Sequence, residues 1–103
     1  MTFFRLLVPA LAALSASSAA LASPDLARSK NCVACHHQER KTLGPAFKDI
    51  AAKYADDAAA VRTLSEKVQK GGVGVWGPMP MPAQPQVTPE EAETLVKWIL
   101  TLK

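Results

Sequence analysis

The sequence predicts a small all-α domain, four short helices gathered round a centre that its own side chains do not supply. Three observations carry this. Apolar residues recur at intervals of three and four in separate stretches, and no run of strict alternation competes with them. The chain has only 103 residues, the first 22 of which read as a removable leader. A remainder so small buries too little surface to stand without a disulfide, a metal or a large cofactor. Its two cysteines, Cys32 and Cys35, sit one turn apart with His36 immediately after them.

The leader has the parts that export requires. Arg5 precedes an apolar stretch from Leu6 to Leu14, and Ala20-Leu21-Ala22 forms a small-residue cleavage site. Residues 1–22 are therefore expected as a cleaved signal peptide and residues 23–103 as the working domain. An uncleaved anchor fits poorly, because the apolar stretch falls well short of the ~20 residues of a membrane span. Hydrophobic residues make up 49% and charged residues 20%, a balance that argues against a disordered chain. Twelve Lys and Arg against nine Asp and Glu give +3, without a cluster of the kind that tracks phosphates. No nucleic-acid partner is expected.

The helices follow in order. Leu26 to Asn31 leads into the cysteine turn, and Phe47, Ile50, Ala51 and Tyr54 mark a second helix after Gly44-Pro45. Asp56 or Asp57 can cap a third, carrying Val61, Leu64 and Val68 and ending at Gly71-Gly72. The fourth has the clearest start: Thr88 as N-cap, Pro89 at the first position and Glu91 completing a capping box, with Ala92, Leu95, Val96, Ile99 and Leu100 as its stripe. Helices this short are marginal alone, so the stripes must pack on a shared centre.

The pattern Cys32-Val33-Ala34-Cys35-His36 names that centre, because it is the c-type haem attachment sequence. Two thiols one turn apart can each add to a vinyl group of one porphyrin, while the next imidazole reaches the iron. A plain disulfide is the simpler use of two exported cysteines. A thioredoxin-like pair needs a preceding strand, and none is patterned here. Zinc would need a second, distant ligand pair. The haem reading predicts one covalent haem c with His36 as an axial ligand.

A sixth ligand or an open site separates electron transfer from ligand chemistry. His37 adjoins His36, so the backbone cannot carry it to the opposite haem face. Lysine would first have to lose its proton near neutral pH. Met79 and Met81 remain, in Trp76-Gly77-Pro78-Met79-Pro80-Met81-Pro82, where alternate prolines forbid a helix and limit the loop's alternatives. With three residues per polyproline turn, the two thioethers point in different directions and one at most can reach iron. Gap-filling is the bland use of either methionine. Spacing alone does not choose between them.

Taken together, these residues resemble the class I bacterial cytochromes c, in particular the cytochrome c-551 (cytochrome c8) group. The likeness runs from about Asp25 to the C-terminus through the cysteine turn, Leu43-Gly44-Pro45-Ala46, Gly74-Val75-Trp76-Gly77-Pro78, Met81-Pro82 and Leu95 to Leu100. The resemblance implies a small class I cytochrome c fold with His36 and Met81 as axial ligands. It further implies that the Pro45 carbonyl accepts the His36 N–H, that the Trp76 indole donates to a haem propionate, and that Lys67 stands where the family often has a propionate-facing Arg. Two departures stand out. Lys67 cannot form the bidentate fork of an arginine. Gln84 stands where the family often has an Asn that donates to the methionine sulfur, and Pro85 looks inserted after it.

The function expected from all this is a periplasmic one-electron carrier and not an enzyme. It would act as a monomer in a respiratory chain and reach the membrane only through its partners. The resemblance implies quinol:cytochrome c reductase upstream and a terminal oxidase or nitrite reductase downstream. Two rival classes stay open: a haem enzyme or gas sensor with an open sixth position, and a copper-handling protein using the same soft ligands.

Overall fold

The computed structural model describes residues 23–103, and the expected leader, residues 1–22, lies outside the described residues. Helix α1 runs Ser23–Ser29, a 3₁₀ turn Cys32–Ala34, α2 Phe47–Lys53, α3 Ala60–Lys70 and α4 Pro89–Ile99. No strand occurs among the described residues, only an isolated antiparallel bridge between Gly72 and Met81. The all-α expectation with four short helices therefore holds.

Each helix is placed by the residues it hides. Leu26 and Ala27 of α1, Phe47 of α2, and Ala92, Leu95 and Ile99 of α4 form one buried cluster with Val87 from the segment before α4. Cys32, Ile50, Val68, Trp98 and Leu102 pack against it. The predicted α4 stripe is buried at Ala92, Leu95, Val96 and Ile99. Asn31 takes a left-handed conformation at φ 63, which asparagine tolerates, and turns the chain from α1 into the cysteine turn.

The start of α3 differs from expectation. Its N-cap is Ala59, with no side-chain cap, and neither aspartate fills that position. Asp57 is spent one step earlier, where its Oδ1 accepts the Ala59 amide at 2.8 Å and closes a local turn ahead of the helix. The end of α3 is as expected at Gly71, whose amide donates to the Lys67 carbonyl at 2.8 Å. Helix α1 ends at Ser29, two residues short of the expected Asn31, because Asn31 leaves the helical region.

The cap of α4 is the reciprocal box read from the sequence. Glu91 N donates to the Thr88 hydroxyl at 3.1 Å, and Thr88 N donates to the Glu91 carboxylate at 3.1 Å. Lys30 Nζ lies 3.1 Å from the other Glu91 oxygen. The Thr88 amide first, and Lys30 second, hold the Glu91 carboxyl below its usual range. A lowered folded pKa contributes stability above the unfolded value of about 4.3, and that contribution is lost as pH falls through the folded value. Glu91→Gln keeps the acceptor but not the charge. Its thermal midpoint is expected below that of the parent at neutral pH, with the gap closing on acidification; a gap independent of pH would assign the effect to shape alone.

Candidate functional site

The helices leave a crevice of about 310 Å3 between them. Its interior is apolar, with Ile50, Leu64, Val68, Leu95, Val96 and Ile99 turned to it from α2, α3 and α4. Two irregular stretches complete the border: the segment that contains Cys32, Cys35 and His36, and the segment that contains Met79 and Met81. The sequence-predicted residues thus meet at one cavity.

The His36 side is held from several directions. His36 Nδ1 lies 2.7 Å from the Pro45 carbonyl. A carbonyl can only accept, so Nδ1 carries the proton and donates, and Nε2 of the neutral ring keeps its lone pair for a metal. The ring stacks on Phe47 at 5.1 Å between centroids, and Phe47 meets Trp98 edge-on at 5.6 Å. Gly44 leaves room for the ring, because a β-carbon there would stand 2.6 Å from the imidazole Cε1. The loop between is closed by Gly44 N donating to the Cys35 carbonyl at 2.7 Å and by the Thr42 hydroxyl donating to the same oxygen at 2.7 Å. His37 turns elsewhere and accepts the Glu39 amide at Nδ1, 2.9 Å away. Burial pushes the Cys32 thiol above its ordinary pKa, against a smaller opposing effect of a backbone hydrogen bond.

The methionine side is held by backbone. Met81 N donates to the Gly72 carbonyl at 2.8 Å and Gly72 N donates to the Met81 carbonyl at 3.0 Å, which fixes Met81 to the chain just after α3. Met79 has no such pair and is 62% exposed on the rim. The two methionines, both at the crevice, thus differ in backbone tethering and in exposure.

This donor set fits a covalently attached iron porphyrin: two thiols one turn apart, an imidazole with one nitrogen already committed, thioethers on a braced loop, and an apolar lining. The cytochrome c family model matches residues 22–103.

The chain belongs to the cytochrome c family.

It is 50% identical over 94 residues to cytochrome c-552 of Nitrosomonas europaea, covering 91% of this chain and 91% of that relative. It is 49% identical over 78 residues to cytochrome c-551 of Pseudomonas aeruginosa, covering 76% of this chain and 74% of the relative. The crystal structure of wild-type Nitrosomonas europaea cytochrome c552 matches with a TM-score of 0.76 at 52% identity, over 78% of this chain and 99% of that one. This cytochrome is a small electron carrier of the c-551 group, with one covalently attached haem c as its cofactor.

The remaining expected site residues lie at the rim of the cytochrome's crevice. Trp76 is 40% exposed there, and Lys53 of α2 places its Nζ 5.4 Å from the centre of the indole. Lys67 is half-buried near the end of α3, with its Cε 2.9 Å from where a β-carbon on Gly72 would stand. Among the described residues its ammonium has no carboxylate within ion-pair distance. Sequence reading missed Lys53, and nothing in the spacing of Lys53 and Trp76 could have joined them. Gly71 was read as a helix stop, yet it also lets the methionine segment pass: a β-carbon there would lie 2.5 Å from the Met81 carbonyl oxygen.

Proposed function

We propose that this cytochrome is an exported, periplasmic one-electron carrier, monomeric, with a leader at residues 1–22 removed on export and no enzymatic turnover of its own. Cys32 and Cys35 would form the thioether links, and His36 and Met81 would be the axial ligands. The bound haem supplies the one-electron couple of its iron. The observation that carries this reading is the pair of restraints on the crevice, Nδ1 of His36 spent on Pro45 and Met81 tied to Gly72.

Each residue has a task that follows from its surroundings. The Pro45 carbonyl fixes the His36 tautomer and makes the imidazole a better donor. Met81 offers a neutral sulfur, which raises the potential relative to a second imidazole. The prolines on either side limit what the loop can do when the sulfur is free, so little rearranges on electron gain. Trp76 and Lys67 stand at the rim as the candidate partners of the propionates. Partners of the kind expected from the resemblance, quinol:cytochrome c reductase as donor and a terminal oxidase or nitrite reductase as acceptor, would meet a small surface that includes exposed Val33, Leu43 and Met79. Weak, transient contact suits such an area.

One visible spectrum of the purified protein, reduced and oxidised, tests the ligation. A weak band at the red edge of the ferric spectrum and slow carbon monoxide binding by the ferrous form are expected. Absence of the band together with rapid carbon monoxide binding would replace this reading with the open-site one, a haem enzyme or gas sensor. Mass spectrometry of the exported protein tests the cleavage before Ser23.

A further inference from the structure

The two ends of the site meet a second time, away from the crevice. Lys30 stands two residues before Cys32, and Gln86 stands five residues after Met81. Each side chain bonds the other's backbone: Lys30 Nζ donates to the Gln86 carbonyl at 3.1 Å, and Gln86 Nε2 donates to the Lys30 carbonyl at 3.1 Å.

The contact does not stop at Gln86. A side-chain amide has two hydrogens to give, and Gln86 Nε2 also donates to Gln84 Oε1 at 2.7 Å. Gln84 Nε2 in turn donates to the Pro82 carbonyl at 3.1 Å. A relay of side-chain amides thus runs from Lys30, two residues before Cys32, to Pro82, the residue after Met81. The backbone of the same stretch is tied elsewhere, with Gln84 N donating to the Val68 carbonyl at 3.0 Å and Gln69 Nε2 donating to the Val87 carbonyl at 3.2 Å. Lys30 is itself steadied by Glu91 of the α4 cap.

We infer that Gln86 is a positioning residue for the methionine ligand: through Lys30 on one side and Gln84 on the other it latches the methionine segment to the haem-attachment turn. The inference rests on the proposed ligation by Met81. Gln84 has a different part from the sulfur donor that its place in the sequence suggests. Its amide nitrogen donates to the Pro82 carbonyl, and its oxygen accepts from Gln86.

A latch that holds only the closed arrangement opposes whatever must first displace the sulfur. Cyanide binding to the ferric holoprotein measures that opposition, because cyanide takes the sixth position. Gln86→Met keeps the chain length and Gln86→Leu keeps an uncharged side chain of similar bulk, and each removes both donated hydrogens. Both are expected to raise the apparent cyanide affinity by about three- to tenfold, the change that goes with losing one or two net hydrogen bonds. Both should keep the red-edge band of the unliganded ferric protein. The measurement is made far below the unfolding transition, so that a loss of global stability does not mimic opening. A parent protein without the red-edge band would defeat the ligation by Met81 itself. A parent with the band, and variants whose cyanide affinity equals that of the parent, would overturn the latch alone.

Discussion

Met81→Ala holoprotein is expected to lose the red-edge band, bind carbon monoxide rapidly when reduced, and show a lowered reduction potential, whereas Met79→Ala keeps all three properties of the parent. The contrast comes from how each methionine is held. Met81 sits in a two-way backbone bridge with Gly72 and is half-buried at the crevice. Met79, two residues earlier, is 62% exposed and outside that bridge. Removing a neutral sulfur ligand lowers the potential because the ferrous state loses its preferred partner. Truncating a buried methionine costs about 2–5 kcal/mol, an upper bound for a half-buried one, while a surface truncation such as Met79→Ala stays within about 0.5 kcal/mol. Spectra, carbon monoxide kinetics and redox titration of the two variants give the answer. Loss of the band in Met79→Ala with its retention in Met81→Ala would reverse the assignment.

The same pair shows how far the sequence could be read. The haem-attachment turn, the capping box of α4 and the stop at Gly71 were legible because each is decided by residues within a few positions of one another. Thr88 and Glu91 find each other inside a single turn, whatever the rest of the chain does. What distinguishes Met79 from Met81 is not legible from the residues, since it is a backbone pairing of Met81 with Gly72 across the loop. Family resemblance implies Met81, and the bridge is the observation that supports proposing it. The α3 start departs from expectation for a local reason of its own: an aspartate before a helix has two uses, cap or turn, and Asp57 takes the second. Lys30 and Gln86 lie 56 positions apart on irregular backbone, where no periodicity marks a partner.

Where these non-local ties converge, the chain has little side-chain freedom to spare. Gly44 and Gly71 act alike on opposite duties. At Gly44 the missing side chain admits the imidazole of His36, and at Gly71 it admits the backbone of the methionine segment. The cytochrome thus holds its two candidate axial residues by close approach of main chain and ring, backed by hydrogen bonds, on a domain whose own buried cluster is small. A site braced in this way needs its cofactor as part of the core.

Gly71→Ala is expected to do the greatest damage of any single methyl addition in the loop, and the neighbouring glycines make the comparison clean. Gly71, Gly74 and Gly77 all have positive φ, at 74, 98 and 111. Gly71 combines this with ψ −175, a region that is essentially reserved for glycine. Strain from such a conformation is about 1–3 kcal/mol for a residue with a β-carbon, and it bears on all three positions. Only at Gly71 is there also a collision, 2.5 Å to the Met81 oxygen and 2.7 Å to the Ala83 nitrogen, whereas nothing lies within 4 Å of the β-carbon at Gly74 or Gly77. The colliding atoms are backbone and cannot swing aside as a side chain would. Gly74→Ala and Gly77→Ala should therefore lower the thermal midpoint through strain while keeping the red-edge band. Gly71→Ala must push the methionine segment outward, breaking the bridge that Met81 shares with Gly72, and should weaken or abolish the band even where the protein remains folded by circular dichroism. Equal loss of stability in all three variants, with the band intact in each, would show that strain alone acts at Gly71 and that the segment has room to yield.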